Sequence, residues 1–396
     1  MSSNGQRLER YAELVVRVGA NVQPGQEVFI HPDVEHRDLA RALTRQAYRA
    51  GASYVHVLYR DGHTRKAMIE LGPDEALTYS PEWMKQLVGS LDGNALIATA
   101  GDPEPDLLAD LDGERVGRAV PQELVEIQMR LMSENAVNWC GIGALSEGWA
   151  TQVFGEPDVE RLWDQIALCM RLDEPDPVAA WNEHLERLAE RSARLNELRA
   201  DALHYRGPGT DLTVGLNPNV RWGSGASETS GGIRYVANMP TEEVFTSPDA
   251  RRAEGTIRST KPLPLLGQII RGLELTFEEG RAVRVEAETG ADLVRSHFDT
   301  IENSNRLGEL ALVTKESRVG QTGLLFYDAL FDENATCHIA YGAALPFLLD
   351  GEPDEGFNVA NMHVDFMVGG PELEVDAVMP DGSEIPLIRG EEWQLA

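Results

Sequence analysis

The sequence predicts an α/β protein in two parts. Residues 1–195 read as an N-terminal mostly parallel sheet flanked by helices, and residues 196–396 as a C-terminal α+β domain with a largely antiparallel sheet. Three observations carry this. Short apolar strands alternate with amphipathic helices from Gln6 to Cys140, the pattern of β-α units. A long helical pattern from Asp176 to about Leu198 then separates two textures. Beyond it, Gly207-Pro208-Gly209, Asn217-Pro218-Asn219 and Trp222-Gly223-Ser224-Gly225 punctuate short strands, as in antiparallel sheets. A chain of 396 residues also exceeds what one simple core serves.

The elements follow in order. Gln6 to Ala20 puts Tyr11, Leu14, Val15 and Val18 at helical spacing, the turn Asn21–Gln26 follows, and Glu27–His31 reads as a strand. His36–Ala50 is a second amphipathic helix ended by Gly51, and Tyr54–Leu58 a second strand. Pro81–Leu91 and Pro121–Ser133 read as helices, Ala95–Ala100 and Ala136–Cys140 as strands. Neither a G-x-G-x-x-G nor a P-loop occurs, so nucleotide binding has no support.

Composition narrows the function. A net charge of −30 and a pI near 4.6 argue against nucleic acid or an acidic membrane surface as partner. No run approaches a membrane span, and the start Met1–Arg7 has no apolar core of an export signal. Cys140, Cys169 and Cys337 are odd in number and widely spaced, which fits a reducing cytoplasm better than a disulfide framework.

Four clusters carry chemistry. Met362-His363-Val364-Asp365-Phe366-Met367 alternates with period two, so His363 and Asp365 share one face of a strand while Met362, Val364 and Phe366 share the other. Glu309 opens the apolar strand pattern Leu310–Val313. His338 follows the polar turn Asp332-Glu333-Asn334 and begins a small-residue segment. Glu242 and Glu243 sit in the proline-bounded Met239–Pro248, where an extended backbone sends them opposite ways. Mixed imidazole and carboxylate donors suit zinc, cobalt or manganese. Three carboxylates and two imidazoles exceed the needs of one catalytic ion, and they match two ions sharing a bridging carboxylate and a bridging hydroxide. The chemistry implied is metal-assisted hydrolysis.

These segments, Met239–Pro248, Gly308–Val313, Leu330–His338 and Gly356–Met367, resemble in order and spacing the thermophilic aminopeptidase family, the aminopeptidase T, aminopeptidase S and PepS type of dinuclear metallopeptidase. The resemblance runs from the N-terminal helix nearly to the C-terminus. It implies a cytoplasmic, homodimeric exopeptidase that takes N-terminal residues from peptide substrates with two divalent ions per chain, zinc or cobalt first and manganese also admissible. It marks Glu243, Glu309, His338, His363 and Asp365 as metal ligands. Glu242 becomes the neighbour that binds the substrate amine or acts as acid/base, with the two glutamates interchangeable at this stage. The family's active-site tyrosine is replaced here by Leu345, which leaves Tyr341 as the candidate hydroxyl. Two alternatives remain open: a mononuclear non-haem iron ring-cleaving dioxygenase, because His338, His363 and Asp365 form a two-His-one-carboxylate set, and a weakly active metal- or peptide-binding homologue.

Overall fold

The computed structural model describes residues 3–265 and 268–395, so Met1 and Ser2 of the start fall outside it. Its contacts divide the chain into two compact units, one of residues 1–183 and 226–240, the other of residues 184–225 and 241–396. The boundary falls inside the helix Pro177–Leu198. Beyond the boundary His184 bonds to the carbonyl of Thr241 (2.8 Å), which ties that part of the helix to the second unit. Residues 226–240 join the first unit because the two-residue strand Asn238–Met239 pairs with Gly141 and Ile142.

The first unit holds a five-stranded parallel sheet in the order 54–57, 27–31, 95–100, 138–143, 238–239. Its central strands are short continuous apolar runs, as expected where both faces are covered. Phe29, Leu91, Leu96, Leu131 and Val137 form one of its buried clusters. The fourth strand, Asn138–Gly143, lies two to three residues later than the periodicity suggests. The helices Glu147–Phe154 and Val159–Cys169 add to the expected set, each opened by a side-chain cap, Ser146 onto the Trp149 amide and Asp158 onto the Arg161 amide.

Among the described residues, the second unit holds two large antiparallel sheets besides the small pair of Leu263–Leu265 with Gln268–Ile270. An eight-stranded one runs in the order 281–286, 274–278, 248–258, 210–216, 202–207, 374–378, 384–389, 392–393. A five-stranded one runs 363–367, 338–342, 307–313, 243–246, 223–224. One buried core joins them. Leu203, Tyr205, Leu212 and Val214 come from the larger sheet, and Val244, Leu310, Leu312, Ile339, Tyr341, Val364 and Phe366 from the smaller. Because side chains alternate along a strand, the other face of the smaller sheet receives Glu243, Glu309, His338, His363 and Asp365. Among the described residues, no helix is long and apolar enough to cross a membrane.

This alternation corrects the expectation for Tyr341. Tyr341 sits three residues after His338 in the strand His338–Gly342, so it faces the core. Its fully buried ring packs edge-on against Phe298, and its hydroxyl shares a hydrogen bond of 3.0 Å with His297 Nδ1. Helical spacing, which would have put Tyr341 one turn before Leu345 on the same face, does not apply to the extended chain of this strand. Tyr341→Phe is therefore expected to destabilise the protein by about 0.5–1.5 kcal/mol through the lost hydrogen bond. Its turnover should escape the roughly 10²–10³-fold loss that removal of an oxyanion donor brings; urea unfolding and kcat on the same preparation test both.

Candidate metal centre

Five residues predicted from the sequence converge on the polar face of the smaller sheet. The donor atoms of Glu243, Glu309 and His338 lie within 4.8 Å of one another, and so do those of Glu309, His363 and Asp365. Glu309 belongs to both groups. His338 Nε2 is 3.0 Å from Glu243 Oε2, while His363 Nε2 is 3.0 Å from Glu309 Oε2 and 3.3 Å from Asp365 Oδ1.

Register and small neighbours make room for this. Ala340 stands between Glu309 and Asp365 across the strands, Ala311 opposes His338, and Gly342 opposes His363. Gly342 is held at a φ of +102°, and a Cβ there would come within 2.2 Å of the Met362 carbonyl. A bulge between Leu307 and Glu309 keeps Leu307 in the core opposite Tyr341 while Glu309 stays on the polar face. The diglycine after the His363 strand serves a backbone approach: a Cβ on Gly369 would collide with Thr336 Oγ1.

The side chains fit cations better than they fit each other. Glu243 Oε2 and Asp365 Oδ1 are buried and receive no hydrogen bond, although an imidazole nitrogen lies 3.0–3.3 Å from each. Each ring uses its far nitrogen on the backbone: His338 Nδ1 lies 3.3 Å from the Thr336 carbonyl and His363 Nδ1 2.7 Å from that of Ala343. Donation from Nδ1 leaves Nε2 with the lone pair a metal requires.

Electrostatics agrees. Burial opposes a charged His338, yet Glu243, Asp365 and Glu309 outweigh it and push its pKa up to about 10. Burial likewise opposes a charged His363, which Asp365 and Glu309 raise well above the usual imidazole range. Burial pushes the Glu309 carboxyl up, with Asp365 and Glu243 adding to the effect. Asp365 is held below the usual carboxylate range, because His363 and His338 overcome its burial. A buried group of acids that draws positive charge this strongly needs compensating cations.

Glu242 is not brought to this group. Its carboxylate lies 3.3 Å from His184 Nε2 and accepts from the Arg318 backbone N–H at 3.3 Å, while Glu243 enters the cluster. Glu333, which the sequence did not single out, stands close enough to this group to feel its charge. Burial pushes the Glu333 carboxyl well above its ordinary pKa, and Asp365, Glu243 and Glu309 push it further. It stands in the one-turn helix Glu333–Ala335, just before the His338 strand. An acid in the turn feeding a ligand strand was the available signal. Leu345 is half-buried, its N–H donating to Ser247 Oγ at 2.9 Å.

The family model described as "Thermophilic metalloprotease (M29)" matches residues 4–393. Aminopeptidase T of Thermus thermophilus is 40% identical over 99% of this chain and 100% of its own. Aminopeptidase AmpS of Bacillus subtilis is 39% identical over 99% and 100%, and aminopeptidase PepS of Streptococcus thermophilus 36% over 98% of each. The solved structure of wild-type AmpT from Thermus thermophilus superposes with a TM-score of 0.92 at 39% identity, covering 98% of this chain and 99% of that one. None of these supports the dioxygenase alternative. With its carboxylates and imidazoles gathered on one sheet face and a family match that spans nearly all its length, the chain belongs to the thermophilic metalloprotease family.

Proposed function

We propose that this metalloprotease is an aminopeptidase that releases N-terminal residues from peptides with two divalent ions, zinc or cobalt, and manganese as a further fit. The observation that carries the reading is the pair of three-donor groups sharing Glu309. The names of the relatives support the substrate class, since each is an aminopeptidase.

Glu243, Glu309 and His338 would hold one ion, and Glu309, His363 and Asp365 the other. Bound there, the ions supply Lewis acidity to a scissile carbonyl and a nucleophilic water at neutral pH. The chain does the rest. Glu309, common to both groups, sets the distance between them, and the Nδ1 bonds to Thr336 and Ala343 fix both imidazole planes. Glu333, whose buried carboxyl is pushed above its ordinary pKa beside the cluster, would be the group to hand a proton to the departing amine nitrogen. The Tyr341 hydroxyl is committed to His297 and Leu345 has none, so neither position offers a phenol to the reacting carbonyl. A homodimer and a cytoplasmic setting belong to the same proposal. The family resemblance supports the first, and the odd number and wide spacing of the cysteines support the second.

Purified protein should contain two ions per chain and release leucine from leucine p-nitroanilide; a single iron with oxygen consumption would refute the proposal. Glu333→Gln should keep both ions and lower kcat by roughly 10²–10⁴-fold, the range of a lost proton-transfer group. Unimpaired turnover would remove Glu333 from that role.

The metal-free protein has a pH signature of its own. His338 has a folded pKa of about 10, above its unfolded value of roughly 6.5. Its contribution is complete below the unfolded pKa and disappears as pH rises through about 10. Urea midpoints of chelator-treated protein should therefore fall from neutral pH towards pH 10. Saturating zinc, which replaces the proton, should flatten the decline.

A further inference from the structure

We infer that Asn334 and Glu242 form a clamp that positions the Glu243–His338 half of the metal centre; the inference rests on the two-ion reading above. The residues concerned lie outside the ligand set, yet they are among the most buried polar groups of the second unit. Asn334 is fully buried, and Thr241, Glu242, His184 and Ser317 nearly so.

Their bonds close a ring at one end of the smaller sheet. Asn334 Oδ1 accepts the Glu242 backbone N–H at 2.7 Å, and Asn334 Nδ2 donates to the Leu330 carbonyl at 3.1 Å. Ser317 Oγ donates to the Asn334 carbonyl at 2.6 Å and accepts from the Gly320 N–H at 3.0 Å. The Arg318 N–H, next to Ser317, returns to the Glu242 carboxylate. His184 Nε2 holds the Thr241 carbonyl and lies against Glu242.

Each segment in the ring joins an element that carries the site. Glu242 precedes Glu243, the first residue of its strand. Asn334 follows Glu333 and leads into the His338 strand. Ser317 donates to the carbonyl of Thr314, which follows Val313, the cross-strand partner of Glu243. The strand starts at Glu243 and His338 and the strand end at Val313 lie at the same end of an antiparallel sheet, and one side-chain amide joins the first two. His363 and Asp365 depend on a different support, the pairing of their strand with Ala340 and Gly342.

The clamp thus acts on one three-donor group and spares the other. Asn334 is a positioning residue, and Glu242 serves through its backbone amide and through the side-chain oxygen that accepts the Arg318 N–H. An imidazole-bearing pocket with a lost supporting bond typically gives up ten- to a hundredfold in metal affinity.

The test is a Co²⁺ titration of chelator-treated full-length protein, read by visible absorption and by competition with a chelator. Wild type should show two binding steps, and His363→Ala should retain the step that belongs to Glu243 and His338. Asn334→Ala should weaken that step about ten- to a hundredfold and keep the other within about twofold of wild type. Glu242→Gln, which keeps the backbone amide, should leave both steps in place. If Asn334→Ala does not fold, Ser317→Ala removes one bond of the ring and should weaken the same step in the same direction. Two unchanged steps, or two equally weakened ones, in the folded variant would overturn the clamp while leaving the metal reading intact. Failure of wild type to bind Co²⁺ would instead remove the reading beneath it.

Discussion

A buried row of carboxylates on a sheet whose opposite face is core is the constraint on which the rest depends. Glu243, Glu309 and Asp365 cannot retreat to water, because the strands bearing them are fixed by Val244, Leu310, Leu312, Val364 and Phe366 on the other side. Sliding any strand by one residue would exchange its acids for its core side chains. The apolar core therefore determines where the charge must sit, and the charge determines what must be bound. Two carboxylate oxygens without donors and two imidazoles drawn towards protonation are the trace of that demand.

The support around the cluster is as specific as the cluster. Both imidazoles are oriented by backbone carbonyls, which costs no second side chain and fixes the coordinating nitrogen. Small residues at Ala311, Ala340 and Gly342 leave space on the polar face where larger ones would fill it. At the end of the sheet, the ring through Asn334 and Ser317 ties three chain segments whose separation in sequence gives them no local reason to meet. A centre built from strands in this way needs tuning at its ends, because strand pairing sets spacing along the sheet but leaves the entering turns free.

Much of this could be read directly from residues. Glu27–His31 and Ala95–Ala100 occur as their apolar runs suggest, because a parallel sheet covered on both faces asks only for short continuous hydrophobic strands. The period of two in His363–Met367 assigned His363 and Asp365 to one face without ambiguity. Other features were harder to read. The helices Glu147–Phe154 and Val159–Cys169 announce themselves mainly by caps at Ser146, Gly155 and Asp158, which compete with many similar residues in loops. Residues 226–240 carry no compositional mark of the unit they join, since a two-residue strand is too short to show a period.

The amino-acid order by itself determined the candidate donors, the face each strand presents, and the family to which the chain is similar, because alternation and spacing are local properties of an extended backbone. Only the tertiary structure gathered Glu243, and not Glu242, with Glu309 and His338, turned Tyr341 into the core, and placed Glu333 where it feels the charge of these acids. Those choices depend on which segments meet across the sheet. Register, bulges and turn contacts arise from packing between residues far apart in the chain, and no window along it contains them.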